Sequence, residues 1–483
     1  MSGQTELPPL CVDLDDTLIR TDVLWECIVQ LWRKPGVFVR ALLALASRGK
    51  AGFKSILAEA IPIDPTALPW REEVLEYLRA QHAAGRTVVL ATATHHLWAQ
   101  PIADHLGLFI RVFATDGAVN LSSISKRDAL TSAYGPSGFD YIGDHIKDLP
   151  IFSAAREALL VNPSATLQAR VSAQGNLGQI FRDPPFDVHL LARALRLHQW
   201  AKNALLAVPL LSAHLVFNLQ AWINLALAFL GFGLVASATY LINDLVDLHS
   251  DRRHPRKRLR PLASGRLSIR TGLCLALGLG IIGFVLSYIL LPFGFGAYLV
   301  AYVLITLGYS LYLKRKLLID ALTLAMLYTL RILAGGAATA IVVSEWLLMF
   351  SLFMFLSLAF LKRIIELRGA TGETRIPGRG YSAVDLETVR VIGVTSGMMA
   401  VLVFAMYISS PAVSLLYRSP QILWLLSPLL IYWIARIWFL AARDEVDHDP
   451  VVFALMDARS YGVGACAALI LLFAKLSTIR THW

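Results

Sequence analysis

Residues 240–265 read YLINDLVDLHSDRRHPRKRLRPLASG. An apolar run long enough for a membrane helix ends here in three aspartates, Asp244, Asp247 and Asp251, and a basic cluster containing Lys257 and Arg260 follows at once. Carboxylates at i, i+3 and i+7 share one face of a helix, where they repel one another unless a cation lies between them. Hard cations choose oxygen ligands, and Mg²⁺ commonly shares them with substrate phosphates, so the stretch predicts Mg²⁺ bridging a diphosphate at a membrane face. Asn243, just before the first aspartate, joins the candidate set. The plainer alternative is a solvated helix end of mixed charge.

Composition sets this stretch in its context. Of the 483 residues, 56% are hydrophobic and only 16% charged, the balance of a polytopic membrane protein. The apolar content is uneven. Up to about residue 195 the chain alternates polar and apolar stretches like a soluble α/β domain, whereas the rest is a series of apolar runs near the ~20 residues that cross a bilayer. The expected fold class is therefore an α/β head followed by an all-α membrane body. Nine candidate spans centre near residues 209, 231, 281, 303, 329, 352, 399, 431 and 466. Loops after the second, fourth and sixth spans carry Arg252 to Arg270, Lys314 to Lys316 and Lys362 to Arg390, while those after the first, third and fifth have no Lys or Arg. This is the positive-inside pattern. It predicts a bacterial inner-membrane protein with its head and basic loops in the cytoplasm and its carboxyl terminus outside. It also accounts for the net charge of +10 with no nucleic-acid partner. The four cysteines, Cys11, Cys27, Cys274 and Cys466, have no pairing or metal spacing, and the amino terminus has no signal-peptide pattern.

In the head, the apolar run Leu10-Cys11-Val12 ends in Asp13-Leu14-Asp15-Asp16-Thr17, so a strand delivers acids at its carboxyl end, where open α/β sheets place their sites. Thr87 to Leu90 is a second β-rich run ending in Ala91-Thr92, Lys126 stands near a helix start in SISKRDAL, and Phe139-Asp140-Tyr141-Ile142 leads to Gly143-Asp144 with Asp148 four residues on. Four motifs in this order over roughly 150 residues resemble the haloacid dehalogenase superfamily of phosphatases. The resemblance implies Asp13 as nucleophile, forming an acyl phosphate, and Asp15 as general acid and base. It implies Thr92 and Lys126 as holders of the phosphoryl oxygens, and Asp144 and Asp148 completing a Mg²⁺ site with Asp13 and Asp15. Residues 18–80 read as a helical cap over that site. Within it Trp25, Trp32, Phe38 and Leu42 to Leu45 are unusually apolar. They form the cap's own core, the ordinary meaning of an apolar stripe, or they face the membrane or a lipid substrate. The head is expected to span residues 1–165. Turn formers in 163–185 suggest a linker, and Phe186 to Trp200 suggests an interfacial helix, giving a joining segment over 166–199.

In the body, from residue 200, further polar residues gather on the basic side: Lys202 and Asn203 at the first span, Tyr309, Lys314 and Asp320 around the fourth and fifth, and Arg331 inside the fifth. An arginine within a span is costly to leave unpaired, which makes Arg331 a functional candidate. NDLVDLHSD from Asn243, KRLRPLASG from Lys257 and YSLYLKR from Tyr309 together resemble the UbiA superfamily of intramembrane prenyltransferases, over about residues 200–475. That resemblance implies nine helices around a cavity, with Mg²⁺ and a diphosphate held by the first acidic motif, so that Asp244 and Asp247 are catalytic and Asp251 a further metal ligand. Prenyl-transferring members usually carry a second acidic motif of DxxxD form, but here Leu324 stands four residues after Asp320. HQWAKN at 198–203, the 318–336 stretch, FLKRIIELR at 360–368, GRGYS at 378–382 and DPVVFALMDARS at 449–460 look more like decaprenyl-phosphate phosphoribosyltransferases. The expected function is thus transfer of a phosphoribosyl group from phosphoribosyl pyrophosphate to a polyprenyl phosphate. The head would be a phosphatase able to remove the product's 5-phosphate. Two alternatives stay open: an aromatic prenyltransferase using a prenyl diphosphate, and a transporter or lipid-binding scaffold with a regulatory head.

Overall fold

Runs of aliphatic residues bounded by acids and turns form the strands β1 (Leu10–Val12), β2 (Val88–His95), β3 (Arg111–Thr115), β4 (Asp140–Gly143), β5 (Ala158–Val161) and β6 (Leu177–Phe181). The structure, a computed structural model, describes residues 7–116, 120–369, 379–446 and 449–477. The six strands make one parallel sheet in the order β3-β2-β1-β4-β5-β6. Alternate residues serve opposite faces. Leu10, Val12, Val88 and Leu90 enter one core with α3 (Glu72–Ala83) and α4 (His96–Leu106). Cys11, Val89 and Ala91 enter a second core with α5 (Ile124–Tyr134), α6 (Leu149–Ala154) and α7 (Ala165–Gln174). Burial on both faces explains strands as uniformly apolar as LCV and ALLV. β1 lies between β2 and β4, where the strand order reverses, and a crevice opens beyond the carboxyl ends of strands at such a point.

Between β1 and α3 the chain forms α1 (Val23–Ile28) and α2 (Pro35–Ala60), the latter broken at Gly49, where φ is +66°. Val74, Leu75 and Leu78 of α3 pack in one core with the sheet, and Val23, Val37, Ala41 and Leu57 of the preceding helices join the same core. The apolar cap residues are not its core: Trp32, Phe38, Leu42, Leu43 and Leu45 are exposed, and Val37, Ala41 and Ala44 face inward instead.

The head also continues past residue 165. α7 buries Leu167 and Val171, and β6 extends the sheet. The residues that read as linker punctuation are a cap and a stop: Ser164 accepts a hydrogen bond from the Leu167 N–H, and Gly175 ends α7 at φ +76°. The expected interfacial helix is shorter, α8 (Val188–Ala194), because the chain turns at Arg196, φ +51°, into a 3₁₀ stretch, Leu197–Ala207.

By its contacts the chain divides into two units, Met1–Ala194 with Leu241–Leu275, and Leu195–Tyr240 with Ala276–Trp483. The acidic stretch therefore packs with the head, although its sequence reads as part of the membrane body. The segment Leu241–Leu275 contains the end of α10 (Leu219–Val246), all of α11 (Leu248–Arg253) and the start of α12 (Ile269–Leu290), with α9 (Val208–Ser212) preceding them in the chain.

The second unit is helical, adding α13 (Phe293–Leu311), α14 (Ile319–Thr339), α15 (Glu345–Gly369), α16 (Leu386–Ile408), α17 (Pro411–Leu416), α18 (Leu426–Ala442), α19 (Pro450–Met456) and α20 (Ala458–Leu476). Close approach of backbones is set by small residues. At Gly335 of α14 a Cβ would lie 2.1 Å from the Leu206 carbonyl oxygen. Eight helices among the described residues, α10, α12 to α16, α18 and α20, are long and apolar enough to cross a bilayer, the mark of an integral membrane protein. They coincide with eight of the nine expected spans. The remaining one, near residue 209, is the 3₁₀ stretch followed by the five-residue α9, with Pro209 inside it, so no single long helix forms there.

Candidate functional site

β1 carries Asp13 to the centre of the crevice. Its backbone N–H donates to the Ile142 carbonyl of β4, and its Oδ1 accepts from the Leu14 N–H at 2.8 Å, which fixes the carboxylate at the mouth of a tight turn. Asp16 in that turn has φ +54°, a conformation that aspartate tolerates. α5 brings in Lys126, whose Nζ lies 2.9 Å from Asp13 Oδ2, 3.9 Å from Asp148 Oδ1 and 3.0 Å from the Tyr141 hydroxyl. Carboxylate oxygens of Asp13, Asp144 and Asp148 come within 4.8 Å of one another. Thr17 Oγ1 donates to Asp144 Oδ1 at 3.0 Å. Three carboxylates against one ammonium leave an excess negative charge that a dication with oxygen preference would neutralise, so these residues fit Mg²⁺.

The electrostatics agree with this count. Burial and the charges of Asp13, Asp16 and Asp148 push the Asp144 carboxyl up to about 8. Burial, partly offset by Lys126, pushes Asp148 up to about 6. Burial alone would lower Lys126, but the Asp13 and Asp148 carboxylates outweigh it and the ammonium is raised. Asp15, expected among the metal ligands, stands apart from the three. Its carboxylate accepts from the Thr94 hydroxyl and from the Val23 N–H at 2.8 Å, and burial with Asp22 nearby raises its pKa. A carboxyl that keeps its proton suits an acid better than a ligand. Thr92 is fully buried on β2, its Oγ1 accepting from the Thr94 N–H at 3.1 Å.

The acidic stretch forms a second site. α10 ends at Val246, Asp247 sits at the junction, and α11 begins at Leu248, yet helical hydrogen bonds Asp247 N–H to Asn243 and Asp251 N–H to Asp247 carry through. Asp244 and Asp251 thereby keep a common face and converge on one guanidinium: Arg260 Nη1 is 3.2 Å from Asp244 Oδ1 and 2.5 Å from Asp251 Oδ2. Asp247 is half-buried. The side-chain oxygen of Asn243 is buried without a hydrogen bond beside them, an oxygen donor left over for a cation. The set fits Mg²⁺ with phosphate, Arg260 being the cation already in place. Lys257, in a short 3₁₀ turn, is exposed.

The rest of the basic cluster does not all remain available for phosphate. Arg252 is buried in a two-pronged pair with Glu26 of α1, Nη1 to Oε2 at 2.9 Å and Nη2 to Oε1 at 2.6 Å, and its Nε donates to the Ala263 carbonyl. Arg253 pairs with Asp64, and Arg270 with Asp22, each at 2.5 Å. Gly265, at φ +72°, lies so close to Arg20 that a Cβ would come within 2.6 Å of its carbonyl oxygen.

In the second unit the polar candidates form two clusters. Lys202 Nζ meets Asp449 Oδ2 at 2.5 Å, Lys362 Nζ meets the same oxygen at 3.2 Å, and the Tyr328 hydroxyl donates to this carboxylate. Arg331, on the next turn of α14, donates to Asn203 Oδ1 at 3.3 Å and to the Leu327 carbonyl at 2.7 Å, with its guanidinium over the Phe232, Tyr302 and Tyr328 rings. Its partners are aromatic rings and neutral oxygens. The second cluster surrounds Asp320. Tyr309 donates to its Oδ1 at 2.8 Å, Arg363 Nε lies 2.8 Å from its Oδ2, and Arg379 Nη1 lies 3.4 Å from its Oδ1. Glu366 pairs with both arginines. Asp320 is thus a neutralised, fully buried carboxylate. Lys314 is half-buried after α13. An apolar cavity of about 570 Å³ lies elsewhere in this unit, lined by residues such as Leu211, His214, Phe350, Phe404 and Leu471, and none of these charged candidates lines it.

The single-site expectations omitted Glu26, Arg363, Arg379, Glu366, Tyr328, Lys362 and Asp449. Most of them lie inside FLKRIIELR, GRGYS and DPVVFALMDARS, and charge within or beside apolar helices was the signal that marked them. Gly378 of GRGYS lies outside the described residues.

Comparison with known proteins gives two family matches. The UbiA prenyltransferase family model matches residues 204–458, and the haloacid dehalogenase-like hydrolase model matches residues 10–153. Uncharacterized protein y4nM of Sinorhizobium fredii is 36% identical over 470 residues, covering 95% of this chain and 90% of that one. Nodulation protein NoeC of Azorhizobium caulinodans is 35% identical over 275 residues, 55% of this chain and 87% of its own. A decaprenyl-phosphate phosphoribosyltransferase of Corynebacterium glutamicum is 34% identical over 226 residues, 45% of this chain and 68% of its own. With an acidic, membrane-proximal helix junction in one matched region and a carboxylate-lysine crevice in the other, the chain belongs to the UbiA prenyltransferase family and carries a haloacid dehalogenase-like hydrolase domain at its amino-terminal end.

Proposed function

We propose that the transferase moves a phosphoribosyl group from phosphoribosyl pyrophosphate to a polyprenyl phosphate, and that the hydrolase domain removes the 5-phosphate of the product. The observation that carries this reading is the state of Asp320. A second acidic metal arm is replaced by a carboxylate held between Arg363 and Arg379, with Lys202, Lys362 and Arg331 in the same unit. A donor with an additional 5-phosphate and an acceptor ending in phosphate both call for cations rather than a second set of acids. The likeness to a decaprenyl-phosphate phosphoribosyltransferase supports transfer of the same group to a polyprenyl phosphate.

In this reading Asp244, Asp247 and Asp251 would hold Mg²⁺, which would supply positive charge to the departing diphosphate. Arg260 exchanges its carboxylate partners for phosphate oxygens as the donor binds, and Asn243 completes the oxygen set. Lys202, Asn203, Lys257, Tyr309, Lys314, Asp320 and Arg331 bind or position substrate. The acceptor's phosphate oxygen attacks the anomeric carbon, so no side chain of this unit forms a covalent bond. In the head, Asp13 attacks the phosphoryl group, Asp15 protonates the leaving oxygen and then activates water, and Thr92 and Lys126 hold the phosphoryl oxygens. Asp13, Asp144 and Asp148 would bind Mg²⁺.

We place the basic loops and the head in the cytoplasm of a bacterial inner membrane. The segment 197–212 would supply the ninth crossing, since its 3₁₀ and α parts together rise about 30 Å, the thickness of the hydrocarbon layer. The carboxyl terminus is then outside.

The test supplies membranes with labelled phosphoribosyl pyrophosphate and polyprenyl phosphate. Labelled lipid should form, and Asp13→Asn should cause its 5-phosphorylated form to accumulate. Incorporation of labelled isoprenyl diphosphate into an aromatic product instead would replace this reading with aromatic prenyl transfer, and absence of accumulation in Asp13→Asn would give the head another substrate.

A further inference from the structure

The first half of α2 is apolar on two opposite sides. Val37, Ala41 and Ala44 face into the head, spaced as one stripe of a helix. Phe38, Val39, Leu42, Leu43 and Leu45 lie on a separate sector about 160° wide at 100° per residue, and they are exposed, Val39 by 55% and Leu43 by 65%. Trp32, just before the helix, is exposed as well. A helix that is apolar nearly all round belongs in an apolar setting on both sides, and the structure supplies only one of them.

Charge indicates what covers the other. From Cys27 to Ala58 there is no acidic residue, whereas Arg33, Lys34, Arg40, Arg48, Lys50 and Lys54 are all basic. Arg40 and Arg48 are exposed and have no partner among the described residues. An apolar sector with Trp and Phe near one end, cations at its flanks and no anions is the composition that binds the surface of an anionic bilayer. The same chain is anchored in a membrane by its apolar helices, so a bilayer surface is always within reach at high effective concentration.

We propose that α2 is a membrane-surface helix, its Phe38, Val39, Leu42, Leu43 and Leu45 sector inserted among the lipids of an anionic leaflet while Arg40, beside that sector, meets lipid phosphates. The ligand is the bilayer itself. α2 is also tied to the strand bearing Thr92 and Thr94, because Lys54 Nζ donates to the Ala93 carbonyl at 3.0 Å. Insertion thus holds the mouth of the hydrolase domain at the lipid–water boundary.

The test uses the full chain with Cys274→Ala and Cys466→Ala, one copy per nanodisc, leaving Cys11 and Cys27, which are fully buried, unlabelled. An environment-sensitive fluorophore on Leu42→Cys or Leu43→Cys should emit to the blue of the same fluorophore on Ser47→Cys and be quenched by phospholipid carrying a shallow spin label. The shift should deepen when phosphatidylglycerol replaces phosphatidylcholine, and Arg40→Gln should reduce that lipid dependence. Water-like emission at Leu42 and Leu43, quenched by iodide, would overturn the proposal. So would a blue shift that lipid-borne quencher leaves untouched, since protein would then cover the sector. A lipid dependence unchanged by Arg40→Gln would overturn the role given to charge.

Discussion

Asp144 shows how a residue's neighbours set its chemistry. Its pKa of about 8, and that of about 6 for Asp148, exceed the ordinary carboxylate value near 4. Between that value and the raised ones the folded head keeps protons that the unfolded chain has released, so the stability these groups contribute falls as pH rises. Mg²⁺ favours the ionised forms, and its stabilising effect should grow over the same window. In an Asp244→Asn, Asp247→Asn background, the thermal shift caused by Mg²⁺ should therefore increase from about pH 5 to about pH 8; a constant or shrinking shift would contradict the assignment. Asp320 makes the opposite case. Fully buried, it depends on Arg363 for compensation, and Arg363→Met should cost about 3–5 kcal/mol because an uncompensated carboxylate remains. Unfolding of the detergent-solubilised protein measures this, and a loss below about 1 kcal/mol would mean that Arg379 suffices alone. Asp13, Lys126, Asp144 and Asp148 were legible in the sequence because each lies at a strand end or helix start. Arg363 and Arg379 were not, because nothing local tells which carboxylate a distant arginine will meet.

At the scale of elements, α11 is held on the head by the Glu26–Arg252 pair, buried to 0% and 4% side-chain exposure. Thr21 also donates to Glu26 at 2.6 Å, so this carboxylate is fully occupied. Glu26→Gln should destabilise the first unit by about 3–5 kcal/mol, and Glu26→Met with Arg252→Met should recover much of that loss, since removing both charges is far less costly than removing one. Because α11 carries Asp251, transferase turnover should follow the same order: lowest in the single variant, higher in the double. A double variant as impaired as the single would show that the charge pair itself, and not the seating of α11, is required. α2 and α7 illustrate two limits of pattern reading. The apolar stripe of α2 was visible, but periodicity cannot separate a face turned inward from one turned outward. α7 was hidden because Ser and Gly at its ends are equally at home in linkers.

Over the whole molecule, the alternation of basic and uncharged loops leads to a directional expectation. Phe217, 98% exposed between α9 and α10, follows the crossing proposed for 197–212, and Lys257 follows α10. In intact cells a membrane-impermeant thiol reagent should label Phe217→Cys, whereas Lys257→Cys should react only after the membrane is opened. Labelling of Lys257→Cys but not of Phe217→Cys in intact cells would remove the crossing proposed for 197–212.

Sequence alone indicated nine apolar runs, of which eight form long helices, an α/β head before them, and which residue types arrive at the ends of β1, β2 and β4. These follow from local periodicity and hydrophobicity, which act within a few residues. Tertiary structure alone decided that Leu241–Leu275 packs with the head, that Arg260 joins Asp244 to Asp251, and that Asp320 is enclosed by arginines. Ion pairing inside a protein depends on which charges are brought together and stripped of water, and neither quantity is written in the spacing of residues along the chain.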